Sequence, residues 1–210
     1  MSESVFIELE QSVFDGCVRF IEAANFKNSV TDRDVHNNKE ALINAKMAEC
    51  AVARWTGVPL GRLHWNASSY DDGSDVPVAF WRLDVKHTKN GKCLIWPKRK
   101  RHLLEDKRFD ALVLVRGELL NFEIVGWVTK KVFGESKHIA DNDTVPRLDP
   151  TTWFLMEAEL EPPETLLEMC QKIHNCWCGE FGSFGYGVAL LKGKYGNWFC
   201  SQHRPSSKGA

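Results

Sequence analysis

The sequence has almost no net charge, no long apolar run and no phosphate-cradling glycine motif, and each lack removes a class of protein. Lysine and arginine number 27 against 28 aspartates and glutamates, a formal net charge of −1 over 210 residues. Such a chain is not a polycation, so any attraction for nucleic acid must come from a local patch. No apolar stretch approaches the length that spans a bilayer, so no membrane partner is expected. Residues 1–8 are acidic and lack a long apolar core, so no signal peptide is expected and the cytoplasm is the expected location. Gly182, Gly185 and Gly187 are not spaced as a P-loop or a Rossmann fingerprint, and there is no internal repeat.

What is present is ordinary for a globular domain: 43% hydrophobic and 26% charged residues, enough chain for one full core and an appended module. Seven cysteines without a secretion signal suit a reducing compartment, where thiols are more often buried or metal-bound than paired. Residues 12–24 read as a first helix and 27–37 as a polar connection. Residues 38–55 read as a second helix, stopped by Gly57 with Pro59 beyond it. Ala41, Ala45, Ala48, Val52 and Trp55 form its expected buried stripe, whose small residues permit close approach to a sheet. Glu49 lies on the flank of that stripe. Residues 146–150 and the run Glu161-Pro162-Pro163-Glu164 punctuate the chain, a short helix is expected over 165–173, and 204–210 reads as a loose tail.

The richest chemistry lies between residues 73 and 88. The apolar, β-prone run from Val76 to Leu83 places Asp84 and Lys86 on a strand, where alternate side chains share a face. Trp81, Leu83 and Val85 then point one way, and Asp84, Lys86 and Thr88 the other. Asp75 follows the turn formers Gly73 and Ser74 at the strand start. Two carboxylates and an ammonium in one place suit a hard divalent cation and a water.

A helix with Glu49, then Asp75, then Asp84-Val85-Lys86 resembles, in that order, the PD-(D/E)xK nuclease superfamily. The matching stretch runs from about residue 38 to residue 128. Residues 109–115 are similar to the family's later core strand and 122–128 to its neighbour. Ser74 stands where the family usually has proline, and the stretch from Lys89 to Arg108 is short for the helix that usually follows the Asp-x-Lys strand. The resemblance implies an α/β, restriction-endonuclease-like mixed sheet flanked by helices over residues 1–160. It also implies a Mg²⁺- or Mn²⁺-dependent nuclease acting on DNA rather than RNA, as a monomer or homodimer. Asp75, Asp84 and the Val85 carbonyl would hold the ion, Glu49 would hold it directly or through water, and Lys86 would orient the attacking water. Small members with zinc modules often belong to phages or mobile elements.

Two further segments fit a nucleic-acid enzyme. Lys86 to Arg108 holds nine basic residues, among them Lys89, Lys92, Lys98, Arg99, Lys100 and Arg101, opposed only by Glu105 and Asp106. Such a patch supplies phosphate binding through counterion release, and Trp96 beside it offers a ring for stacking. Near the C-terminus, Cys176 and Cys178 face Cys200 and His203 across a glycine- and aromatic-rich spacer. Two close ligands, a hairpin-like spacer and a second close pair meet the needs of a tetrahedral Zn²⁺ site, with His174 and Cys170 as alternative ligands. Residues 161–210 are thus expected to form a small zinc ribbon-like module with a structural ion. The rival readings are a non-catalytic, zinc-containing nucleic-acid-binding protein, and a zinc-held protein-interaction domain.

Overall fold

A computed structural model describes residues 4–23, 39–65, 75–78, 81–96, 104, 108–140, 152–172, 184–186 and 197–203. Lying outside the described residues are the expected connection at 27–37, Gly73 and Ser74, the basic residues Lys98, Arg99, Lys100 and Arg101, the punctuation at 146–150, His174, Cys176, Cys178 and the tail at 204–210. The chain divides into two compact units, Met1–Pro163 and Glu164–Ala210.

The first unit is mixed α/β. Its five-stranded sheet has the order β1-β6-β5-β3-β2, built from β1 (Val5–Glu8), β2 (Val76–Val78), β3 (Trp81–Thr88), β5 (Ala111–Glu118) and β6 (Asn121–Thr129). β3 and β5 run parallel, while every other neighbouring pair is antiparallel. The Val76–Leu83 run is therefore not one strand but the start of an antiparallel pair, with Val76 opposite Leu83 and Val78 opposite Trp81. Pro77, opposite Arg82, has no amide proton for a second neighbour, which suits β2 to the edge of the sheet.

Strand alternation gives each face its own core. Leu112, Leu114, Val125 and Val128 point to one face and pack with Leu94, Trp96, Leu104, Phe109, Phe133 and Leu155. Leu94 and Trp96 come from β4 (Cys93–Trp96), and Leu155 from β8 (Trp153–Met156). With β7 (His138–Ile139), these strands form a separate antiparallel sheet in the order β4-β8-β7. The stretch after the Asp-x-Lys strand thus holds a strand, β4, as well as the helical Leu104. Val76, Val78, Leu83, Ala111, Val113 and Val115 point to the opposite face and are fully or nearly fully buried. The second helix, α2 (Lys39–Thr56), packs on that face against β2, β3 and β5, and α1 (Gln11–Ala23) packs on α2.

Burial of α2 is wider than a single stripe. Ala48 and Val52 are buried as expected, but Ala41 is exposed, and Ala45 and Trp55 are only half-buried. Ile43, Asn44, Lys46, Met47, Cys50, Ala51 and Ala53 are buried instead. The cause is cover from two directions, since the sheet takes one side of the helix and α1 another. The expected stop is present: Gly57 has φ 74°, its N–H donates to Arg54 O (3.2 Å), and the Val58 N–H donates to Ala53 O (2.8 Å). That pair of bonds is a Schellman motif, which requires a residue at ease with positive φ. A short helix, α3 (Lys130–Ser136), follows β6 and is capped by Thr129, whose hydroxyl accepts from the Val132 N–H.

The second unit is described over α4 (Pro163–Lys172), which starts at a proline, and an antiparallel pair, β9 (Phe184–Tyr186) and β10 (Asn197–Phe199). Among the described residues, no helix is long and apolar enough to cross a membrane.

Candidate functional site

The parallel register sets Asp84 beside Leu112 and Lys86 beside Leu114, so both side chains project into the face that carries Trp96. Asp84 is only 1% exposed and forms an ion pair with Lys86. The Lys86 Nζ also lies 4.6 Å from the centre of the Trp96 ring. A lysine ammonium beside a carboxylate and over an aromatic face is attracted by the charge of the one and the quadrupole of the other. Trp96 is itself 1% exposed. Stacking of Trp96 on a base, expected from its place beside the basic run, is thus excluded by burial. The ring is a floor for Lys86.

Asp75 stands immediately before β2. Its N–H donates to Leu83 O (2.8 Å), and its Oδ2 accepts from the Val85 N–H (2.6 Å). The carboxylate continues the β2–β3 ladder where the backbone of β2 ends, and so sits at the rim of the sheet. From the rim it senses both faces. Its carboxyl group is held well above the usual carboxylate range, first by burial, then by the charges of Asp84 and Glu49. Lys86 and the Val85 amide act in the opposite direction. Glu49, reaching in from α2, is half-buried. Glu49, Asp75, Asp84 and Lys86 are therefore brought within one electrostatic neighbourhood.

A fifth participant was not anticipated from sequence. Lys46, 5% exposed in mid-helix, donates from Nζ to Glu49 Oε2 (2.6 Å) and to the carbonyl of His64 (2.6 Å). Its ammonium lies 5.1 Å from the ring centre of Phe20 and 4.9 Å from that of Trp65. A buried ammonium is tolerated only when paired and hydrogen-bonded, and here three separate segments supply that cover. The spacing of Lys46 and Glu49, three apart on a helix, was a readable signal of their pairing. Its burial depends on α1 and on residues 64–65, which no local pattern announces.

Three acidic groups stand against two ammoniums, the burial and neighbouring carboxylates that raise Asp75 disfavour its charged form, and all three offer hard oxygen donors. That composition fits Mg²⁺ or Mn²⁺. In the present arrangement Asp84 and Glu49 each meet a lysine and Asp75 meets an amide. Among the described residues, no three His, Cys, Asp or Glu side chains are grouped closely enough to enclose an ion together.

Of the basic residues, Lys89 is exposed and ion-paired with Glu118, and Lys92 is exposed just ahead of β4. Of the candidate zinc ligands, Cys200 and His203 meet at 3.3 Å between Sγ and Nδ1, across a turn closed by the His203 N–H donating to Cys200 O (3.2 Å). Cys170 is buried on α4, and burial pushes its thiol up to about 11. No protein-family model, curated protein or solved structure matches this chain.

Proposed function

We propose that this protein is a divalent-metal-dependent nuclease of PD-(D/E)xK type, with DNA as its substrate and a zinc-stabilised C-terminal module. The observation that carries the reading is the electrostatic coupling of Asp75, at the sheet rim, to Asp84 and Lys86 on β3 and to Glu49 on α2. A structural salt bridge needs one acid and one base. This cluster gathers surplus carboxylates under burial, a costly arrangement that a bound cation would relieve.

Asp75 and Asp84 would hold Mg²⁺ or Mn²⁺, with the Val85 carbonyl as a further oxygen donor. When bound, such an ion polarises the scissile phosphate and lowers the pKa of a water. Lys86, fixed between Asp84 and Trp96, orients the attacking water and donates hydrogen bonds to the oxygen on which negative charge develops. The Val85 N–H keeps the Asp75 carboxylate at the rim, and Lys46 fixes one oxygen of Glu49. The basic run from Lys89 to Arg101 would hold the phosphates on either side of the scissile bond.

The test is incubation of the purified full chain with supercoiled and linear DNA, with and without Mg²⁺. Metal-dependent cleavage that vanishes in Asp84→Ala, with DNA binding retained, is the expected result. Binding without cleavage in the wild type would mean a non-catalytic nucleic-acid-binding protein.

A further inference from the structure

Lys46 has no part in the usual inventory of such a site, yet it is the most enclosed cation among the described residues near it. Both of its short hydrogen bonds are to fixed partners: Glu49 one turn along the same helix, and a backbone carbonyl at His64. The rings beneath it are fixed too, since Phe20 and Trp65 meet edge to face at 5.5 Å and the Trp65 Nε1–H donates to Leu60 O (2.7 Å). An ammonium so enclosed cannot swing away without leaving a buried charge uncompensated. Glu49 is therefore tied to an immobile partner on the α2 side of the site, whereas Asp84 sits on β3 and Asp75 immediately before β2. Consistent with that tie, Glu49 is not grouped with Asp75 and Asp84 closely enough for the three to enclose one ion.

We propose that Lys46 is a positioning residue that tethers Glu49 outside the inner coordination sphere, so that Glu49 acts on the metal through water and the ion takes its direct carboxylates from Asp75 and Asp84 alone. This rests on the metal-site reading given above. It goes beyond that reading by assigning Lys46 a task and by deciding between the direct and the water-mediated role of Glu49. The chemical consequence is a site that keeps more of its metal-bound water, with Glu49 as an acceptor for one of those waters.

The experiment is a calorimetric Mn²⁺ titration of the full chain without nucleic acid, with water on the bound ion counted by pulsed electron spin resonance. Wild-type protein binds Mn²⁺ and Asp84→Ala does not; if wild type binds none, or Asp84→Ala binds as well, the metal-site reading itself falls. Given that site, Glu49→Gln shifts the affinity by less than about threefold. Lys46→Met, which keeps the bulk but frees Glu49, raises affinity about tenfold, the size of an ordinary coupling between neighbouring groups. The bound ion in that variant loses one water, and Lys46→Arg behaves as wild type. The gain disappears in Lys46→Met/Glu49→Gln, and because that double variant restores the net charge, the lost water decides between direct ligation and a simple charge effect: an unchanged water count in Lys46→Met overturns the proposal. An unchanged affinity in folded Lys46→Met, or a gain that survives in the double variant, overturns the proposal. Should Lys46→Met fail to fold, Glu49→Gln decides alone, since a loss of tenfold or more would make Glu49 a direct ligand.

Discussion

Lys86 and Asp84 are two residues apart on one strand, but their surroundings assign them different tasks. Asp84 is enclosed and ion-paired, whereas Lys86 is half-buried between that carboxylate and the Trp96 ring. Asp84→Ala should therefore abolish Mn²⁺ binding in calorimetry and cleavage with it. Lys86→Ala should leave Mn²⁺ binding nearly intact while lowering the cleavage rate by about 10²–10³-fold, the usual effect of removing one donor to a developing oxyanion. Wild-type cleavage rates in Lys86→Ala would sink the assigned mechanism. Trp96 supplies an independent check. Trp96→Phe keeps a ring under the ammonium and should retain most activity, whereas Trp96→Ala should cost about 3–5 kcal/mol of stability as well. These side chains were legible in sequence as an order of acids and a base. The role of Trp96 was not, because its burial comes from β4 pairing with β8, a contact between residues some sixty positions apart.

Element ends in this chain follow from local signals, whereas strand pairings do not. Gly57 ends α2 through a motif that is written in the chain, and Pro163 starts α4 for an equally local reason. The β2–β3 pairing and the β4-β8-β7 sheet have no local signal in the chain, since a continuous apolar run does not say where it pairs with itself. Arg116 of β5 ties several of these elements together. Its Nε donates to Glu123 Oε2 on β6 (2.7 Å), and its Nη1 to Glu157 Oε2 just beyond β8 (3.0 Å). Arg116 lowers the Glu123 carboxyl below its ordinary value of 4.5. A carboxylate with a depressed folded pKa contributes stability that is complete above its unfolded pKa and is lost as pH falls through the folded one. Arg116→Met should therefore lower the thermal midpoint at neutral pH, by about 1–3 kcal/mol in free energy. Its midpoint should converge on that of wild type as the pH drops below 4.5. Parallel midpoint curves down to about pH 3, well below an ordinary glutamate carboxyl, would show that the network carries no net stability.

Across the whole molecule, a net charge of −1 conceals a segregation of charge that bears on function. Nine basic residues crowd into the sequence from Lys86 to Arg108, which starts on the Asp-x-Lys strand, so phosphate contact through them would be local. Neutralising Lys98, Arg99, Lys100 and Arg101 together should weaken DNA binding and flatten its salt dependence, by roughly one unit of log–log slope per phosphate contact removed. An unchanged slope would place the stretch away from the nucleic acid. The division at Pro163 separates this region from the candidate zinc module, whose Cys200 and His203 already meet across a turn. A glycine-rich segment of under fifty residues cannot easily bury a core of its own, so a bound metal would supply much of its folding free energy. The purified full chain should then carry about one zinc, as a single tetrahedral site requires. Cys200→Ser should release that zinc and open the segment after Glu164 to protease, while the unit that holds Asp84 stays protected. Elemental analysis that finds no zinc in protein prepared without chelator would remove the site, and full zinc retention in Cys200→Ser would remove the ligand assignment. Zinc added to Mg²⁺-free protein should not restore cleavage, because four protein ligands leave no open position for a substrate oxygen. If it did, the division into a structural and a catalytic metal would be wrong.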